Sequence, residues 1–383
     1  MEEQVIKTKK GLFIRRDKDF GAIVFSPYSG LFFAVAKDYV EETLKYCNNK
    51  ENTLQELIKD NLSIGINNLA QTDFIIDSHL LPSPKDFSYT NNILPNEYPI
   101  VINWLISNKC SFSCNYCYAA DVLNKTFADV DVEKIANQIL TLNPLAVVLS
   151  GGEPLLEKTK ILTAIKTLGN KTGIILDTNG FNYDKELTKL FKQYNVVVRI
   201  SLDATKQEIT DKIRPLKNNN DNISTLYPVF KNINQYKENR IPILVHTVVT
   251  SINKNSLDEL YATLCTLGVN GWRIFSVVNP NDKEKQKSFK KLMTFGKAKD
   301  IKEANKEIEK DILFFKKRHR SKSTFSIQIL QSNESKKNSV ILVLPNGKFA
   351  TESMFEQDKI EIQESIFRQV DLKGHYERYL GKI

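Results

Sequence analysis

The period of hydrophobic and polar positions changes along the chain and divides it into parts. In the first part, two aromatic and β-branched runs, Phe20-Gly21-Ala22-Ile23-Val24-Phe25 and Leu31-Phe32-Phe33-Ala34-Val35, flank Ser26-Pro27-Tyr28-Ser29-Gly30. The Pro and Gly favour a turn, so the stretch predicts a β-hairpin. Two short helices are expected next. Residues 37–46 lead into one with Val40, Leu44 and Cys47 at helical spacing, and Thr53 can cap another that holds Leu57 and Ile58. Cys47 falls on the apolar face and reads as a packed thiol. Residues 83–92 and Pro95 to Pro99 have the composition of a linker.

From Ile100 onward, apolar strands alternate with helical patterns, the signature of a parallel sheet built from βα units. The predicted strands are Val101 to Ile106, Leu145 to Ser150, Gly173 to Leu176, Val196 to Ile200, Leu244 to Thr250 and Gly271 to Ser276. Between them, Asp131 to Leu142 carries Ile135, Ile139 and Leu142 on one face, and Leu257 to Leu267 carries Leu260, Leu264 and Leu267. Six units are fewer than the eight of a closed barrel, which predicts an α/β fold: a partial (β/α)6 TIM-type barrel, open on one side, with its site at the strand C-termini. Residues 283–322 are strongly basic, yet Ile301, Ala304, Ile308, Ile312 and Phe315 step by three and four, as in an amphipathic helix with a solvated charged face. In the tail, Phe325 to Ile329 and Val340 to Phe349, with Asn346-Gly347 as the turn, predict a further hairpin. The division is a small domain over 1–92, the barrel over 97–322, and a short α+β extension over 323–383.

The chemistry concentrates at strand ends. Cys110-Ser111-Phe112-Ser113-Cys114-Asn115-Tyr116-Cys117 follows the first barrel strand with C-x3-C-x2-C spacing. A [4Fe–4S] cluster is normally held by four thiolates, so a loop with three leaves one iron open to something that is not protein. A zinc site completed by a remote histidine, or a cluster of packed thiols, are the plainer readings. Zinc loops usually come as paired C-x2-C or with H-x3-H, and the four histidines (His79, His246, His319, His375) are scattered. The second strand ends in Gly151-Gly152-Glu153-Pro154, where two glycines let backbone approach a ligand and Glu153 offers an acceptor for an ammonium group. The third ends in Asp177-Thr178-Asn179-Gly180 and the fourth in Ser201-Leu202-Asp203-Ala204, where the carboxylate can accept from a hydroxyl or cap the next helix. His246, inside a strand, reads as a hydrogen-bonded core imidazole.

The cysteine spacing, with Tyr116 before the third thiol and the Gly-Gly-Glu motif one βα unit later, resembles the radical S-adenosylmethionine (radical SAM) enzymes. The resemblance implies one [4Fe–4S] cluster on Cys110, Cys114 and Cys117. It also implies SAM bound through its methionine end at the open iron and cleaved to a 5′-deoxyadenosyl radical. Carried over residue by residue, it places Gly151, Gly152, Glu153 and Pro154 at the methionine moiety, Tyr116 near adenine, Asn179 in the cofactor site, and Ser201 and Asp203 at the ribose. The hairpin and helices of residues 1–92 resemble the winged-helix domain that binds the leader of a ribosomally made precursor peptide, by strand addition to an exposed edge; a structural cap or dimerisation module is the plainer alternative. The tail resembles the SPASM-like extension of peptide-modifying relatives but departs from it, since no cysteine follows Cys265 and auxiliary clusters held by cysteines there are excluded. Some peptide epimerases return a hydrogen atom from a remote thiol. Cys265 is the candidate for that role, against a structural place on its helix.

The remaining features bound the reading. The chain of 383 residues is 41% hydrophobic, ample for a sizeable core, and no stretch is uniformly apolar for the length a bilayer requires. The cysteine pattern does not suit a disulfide framework, so a reduced, cytoplasmic setting is expected. A net charge of +9 admits a nucleic-acid or acidic-peptide partner, but the lysines are spread along the whole chain, which favours ordinary solvated surface. The expected partners are a precursor peptide and an electron donor such as flavodoxin or ferredoxin, with no membrane and no nucleic acid. The rival functions are radical chemistry on RNA or a small metabolite, and an inactive Fe–S binding scaffold.

Overall fold

The computed structural model describes residues 5–48, 99–276, 301–319, 325–330, 340–351 and 362–365, apart from 10, 18–20, 29, 37–39, 100, 118, 120–122, 124–125, 128–129 and 218–222. The helix expected from Thr53 and the linker before Pro99 lie outside these residues.

The N-terminal part is an antiparallel sheet of β1 (Ile6–Lys7), β2 (Phe13–Asp17), β3 (Gly21–Ser26) and β4 (Leu31–Ala36), in that order, followed by α1 (Val40–Asn48). The predicted hairpin forms with Phe25 opposite Phe32 and Ser26 opposite Leu31. Its turn is closed by the Gly30 N–H donating to the Ser26 carbonyl at 2.8 Å, with Gly30 at φ +65°, a conformation open to glycine. Phe13, Phe25 and Phe32 stack in sequence across three strands, with centroids 6.3 and 4.8 Å apart.

The barrel runs β5 (Val101–Ser107), α2 (Val132–Thr141), β6 (Ala146–Gly151), α3 (Lys158–Leu168), β7 (Gly173–Thr178), α4 (Lys185–Tyr194), β8 (Val197–Ser201), α5 (Gln207–Ile213), α6 (Leu226–Glu238), β9 (Ile243–Val249), α7 (Leu257–Leu267), β10 (Gly271–Ser276), α8 (Ile301–His319) and β11 (Ser326–Leu330). Strands β5 to β11 are parallel and adjacent in chain order, which makes seven where six were predicted. The seventh is the tail segment expected in a hairpin. It pairs instead with β10, Gly271 opposite Ser326 through Phe275 opposite Leu330. The cause is α8, whose apolar stripe of Ile308, Ile312 and Phe315 is buried, with Phe315 edge-on to Trp272 at 5.4 Å. Packed there, the helix acts as a crossover and returns the chain parallel to β10. The Asn-Gly hairpin does form, between β12 (Val340–Val343) and β13 (Lys348–Thr351), closed by Leu344 N–H to Lys348 O at 2.8 Å. It attaches β12 parallel to β5 on the opposite side, with β14 (Ile362–Ser365) beyond.

Outward-facing residues such as Ile102, Trp104, Val147, Leu149, Val198 and Trp272 meet the helices in one continuous core. The N-terminal sheet covers the opposite, N-terminal ends of the strands. A Cβ on Gly173 would lie 2.2 Å from the Phe25 ring, and one on Gly30 would lie 2.2 Å from Leu244. Buried Arg15 donates from Nη1 to the Pro99 and Asn143 carbonyls at 2.8 and 2.6 Å. The base of the barrel is therefore stoppered, and the strand C-termini are left for chemistry.

Candidate functional site

The cysteine loop leaves β5 and is tied to the segment that follows α5. Ser113 N–H donates to Pro215 O at 2.8 Å, Asn115 N–H to Ile213 O at 3.1 Å and Lys217 N–H to Ser111 O at 2.8 Å, and Phe112 bridges Leu216. Cys110, Cys114 and Cys117 are all half-buried and none is in a disulfide. Burial pushes the Cys110 thiol up, an effect countered by the Phe112 N–H at 3.4 Å from its sulfur.

The Gly-Gly-Glu-Pro strand end packs on this loop. Gly151 has φ +117°, and a Cβ there would stand 2.1 Å from Ser107 O; one on Gly152 would stand 2.0 Å from Lys109 O and 3.2 Å from the Cys110 Cβ. The glycines thus serve the approach of two backbones, sealed by Gly152 N–H to Ser107 O at 2.8 Å and Glu153 N–H to Lys109 O at 2.7 Å. Glu153 differs from the sequence expectation. Its side chain is fully buried. Oε1 accepts from Leu155 N–H at 3.0 Å and Thr178 Oγ1 at 2.8 Å, while Oε2 accepts from Asn179 N–H at 2.7 Å. Burial raises its pKa, against these three donors. The carboxylate is a tie between β6 and β7, and the surface left open beside the cysteines is the half-buried main chain of Gly151 and Gly152. Pro154 is buried in the 3-10 turn that follows.

Asp203 likewise departs from expectation. It is buried, with Oδ1 accepting from Val248 N–H at 2.8 Å and Oδ2 from the Tyr116 hydroxyl at 2.5 Å. Burial raises its carboxyl, with Arg214 opposing. Asn253 completes the knot by donating to the Asp203 and Val248 carbonyls at 2.9 and 3.0 Å. Arg214, absent from the sequence reading, is buried 3.9 Å from Asp203, donates to Ser201 O, hydrogen-bonds the Cys114 thiol and lies over the Phe112 ring at 5.5 Å. Burial works against its charge, but Tyr116, Cys114 and Asp203 together hold it firmly protonated. Ser201 stays half-buried at the strand end, whereas Asp203 is buried.

A sequence model of the Radical SAM superfamily matches residues 104–264, the span from the first barrel strand to α7. Residues 104–264 are therefore similar to a radical SAM domain. Among relatives, an uncharacterised protein of Methanocaldococcus jannaschii is 29% identical over 47% of this chain and 63% of its own length. A cysteine-type anaerobic sulfatase-maturating enzyme of Clostridium novyi is 28% identical over 40% and 45%. An S-adenosylmethionine-dependent nucleotide dehydratase of a Fibrobacter strain is 22% identical over 73% and 89%. The first two matches thus span about half of those relatives' lengths. Among solved structures, Streptococcus suis SuiB bound to its precursor peptide SuiA superposes with a TM-score of 0.61, covering 97% of this chain and 88% of that one at 12% identity. The same partial-barrel fold is shared with anSMEcpe bound to AdoMet, at TM-score 0.55, 16% identity, and 72% and 79% coverage.

The cofactors of a radical SAM domain are one [4Fe–4S] cluster and SAM, and the residues present fit them. Three thiols on one loop suit three of four irons. Among the described residues no three His, Cys, Asp or Glu side chains converge to hold a single ion; a cubane does not ask them to, since each thiolate takes a different iron. In the same strand-end layer the Asn179 amide Nδ2 is buried without a hydrogen-bond partner, a donor unused by the protein itself. Asn179 Oδ1 is occupied by the Phe181 N–H at 2.9 Å. Cys265 lies apart from this layer. It packs from α7 against the sheet–helix core, on the outer side of the strands from the lumen, which removes it as a hydrogen donor to a substrate in the barrel. Arg214 had no local signal: the main-chain pairing of residues 111–115 with 213–217 brings it to the loop.

Proposed function

We propose that this chain is a radical SAM enzyme that modifies a peptide, abstracting hydrogen from an unactivated carbon. The observation that carries the chemistry is the seating of the three-cysteine loop on Gly151-Gly152, with Arg214 against Cys114. Bound together, the cluster and SAM supply a 5′-deoxyadenosyl radical, and the protein's part is binding, orientation and exclusion of water. Cys110, Cys114 and Cys117 hold the cluster. The open main chain of Gly151 and Gly152 receives the methionine amino group, Asn179 Nδ2 offers a donor to the carboxylate end, and Ser201 meets the ribose. Tyr116 and Asp203 act one step back, fixing Arg214 and the loop. An external one-electron donor, flavodoxin or ferredoxin in kind, completes the cycle.

The peptide reading is supported by likeness to SuiB in its precursor-bound form, extending through the N-terminal sheet. In that sheet β4 is paired on one side only among the described residues, an edge that can accept an added strand from a leader. Co-expression with a short peptide encoded beside its gene, read by mass spectrometry, tests this. A mass change that depends on the three cysteines is expected; an unchanged peptide, with 5′-deoxyadenosine released only in the presence of a nucleotide, would move the substrate to the class named for the dehydratase relative.

A further inference from the structure

Arg214 stands one residue past α5, buried against the cysteine loop. A guanidinium keeps its proton in a protein, so the fold maintains a full charge here against the cost of desolvating it. Its place is fixed from several directions. The main chain of residues 213–217 is bonded to that of 111–115, the Arg214 N–H donates to Thr210 O at 2.6 Å, and Nη1 donates to Ser201 O. The guanidinium lies 5.5 Å over the Phe112 ring, which is itself edge-on to Phe181 at 5.8 Å. An arginine that serves only as a clamp on a carboxylate engages both oxygens in a fork, as Arg199 does with Asp177 through Nη2 to Oδ2 at 2.6 Å and Nε to Oδ1. Arg214 does not do this with Asp203. The Asp203 oxygens accept from Val248 N–H and the Tyr116 hydroxyl, Arg214 Nε stays 3.9 Å from Oδ2, and that Nε is buried without a hydrogen-bond partner. The guanidinium is instead hydrogen-bonded to the sulfur of Cys114. A neutral donor could have served the Ser201 carbonyl, so the charge itself calls for a use at that thiol.

We propose that Arg214 is a positioning residue that raises the reduction potential of the cluster on Cys110, Cys114 and Cys117, by holding a fixed positive charge and a hydrogen-bond donor against the Cys114 sulfur. This rests on the cluster reading above. With three thiolates the oxidised cluster is already anionic, and its reduction takes up one electron from an external donor with no bond made or broken, so the reduced form is more anionic still. The Arg214 charge favours that reduced form, and a hydrogen bond to the thiolate sulfur works in the same direction. Asp203 tempers the effect from its ion pair with Arg214, and Glu153, whose carboxyl also feels the Arg214 charge, does so from farther away. The consequence is a cluster that a weaker one-electron donor can reduce.

The test is a dithionite titration of the full-length, anaerobically reconstituted protein without SAM, with the reduced cluster followed by electron paramagnetic resonance. Iron and sulfide content confirm an intact cluster in each sample. Arg214→Gln is expected to lower the midpoint by a tenfold or larger change in the reduction equilibrium, about 59 mV for one electron. Arg214→Lys, which keeps a point charge without the planar fork, should fall between. Asp203→Asn, which removes the opposing charge at nearly constant shape, should move the midpoint up. The opposite signs carry the argument, because water let in by a loosened loop would favour the more anionic reduced form and raise the midpoint in every variant. An unchanged or raised midpoint in Arg214→Gln, a shift of the same sign in Arg214→Gln and Asp203→Asn, or failure of all three variants to hold a cluster overturns the tuning. Where Arg214→Gln alone loses its cluster, a lowered midpoint in Arg214→Lys beside a raised one in Asp203→Asn still supports it, and any other pair of signs overturns it. An unsubstituted protein that takes up no cluster overturns the reading beneath as well, whereas a normal cluster indifferent to Arg214 overturns the tuning alone.

Discussion

At the scale of single residues, the two carboxylates most conspicuous in the sequence, Glu153 and Asp203, are internal ties. Their motifs were legible because Gly-Gly-Glu sits one βα unit after the three-cysteine loop and Ser-Leu-Asp ends a later strand, the order that the family resemblance implies. Their side-chain roles were not, because saturation of Glu153 by Leu155, Thr178 and Asn179 depends on β6 and β7 lying side by side. Replacing Tyr116 by Phe should strand Asp203 Oδ2 in a buried site and cost about 1–3 kcal/mol in urea unfolding, the usual penalty for an unmet buried acceptor. Gly152→Ala is expected to be worse than its small size suggests. Its methyl would meet Lys109 O at 2.0 Å, so the cysteine loop must shift, and the variant should bind less iron than the unsubstituted protein after identical anaerobic reconstitution. Normal iron content in Gly152→Ala would contradict the seating of the loop on this glycine.

At the scale of elements, the helices follow their caps. Asp131 accepts from Glu133 and Lys134 N–H at 2.9 and 3.2 Å, and Asp184 from Glu186 and Leu187 N–H, both at 2.9 Å. Burial alone would raise the Asp184 carboxyl, yet Lys158 Nζ at 2.8 Å and the two main-chain donors hold it below its ordinary value. Such a group stabilises above the unfolded carboxylate pKa of about 4 and loses that contribution as pH falls through its folded value. Asp184→Ala should therefore cost about 1 kcal/mol at pH 7 and clearly less at pH 3. His246 works through the same linkage on the other type of group. Burial first, then Arg199 and Arg273, keep its imidazole neutral in the fold, while in the unfolded chain it takes a proton below about pH 6.5. Stability should fall as pH drops from 7.5 to 5.5, and His246→Gln should flatten that part of the curve in melting experiments. The strand missed by sequence reading, β11, belongs to this scale too. Its partner β10 lies across a crossover helix whose apolar face was legible, while the place of that face, with Phe315 against Trp272, was not.

At the scale of the molecule, the βα alternation announced the barrel and the cysteine spacing announced its cofactors, since both are written in local pattern. The relation between the N-terminal sheet and the barrel was not. It depends on Phe25 filling the space that Gly173 leaves and on Arg15 reaching the Pro99 and Asn143 carbonyls, contacts between residues more than 80 positions apart. Phe25→Ala should open a cavity at that junction and cost about 3–5 kcal/mol, lowering the melting temperature of the barrel along with that of the sheet. Two separate transitions, with only the first moved, would mean that the sheet is an independent module. The central claim is that Cys110, Cys114 and Cys117 leave one iron of a cubane open for SAM. The most direct test is anaerobic reconstitution followed by reduction with dithionite in the presence of SAM. The account predicts a [4Fe–4S] spectrum and release of 5′-deoxyadenosine, both lost in Cys114→Ala. A cluster without 5′-deoxyadenosine, or zinc bound where iron and sulfide are expected, would contradict it.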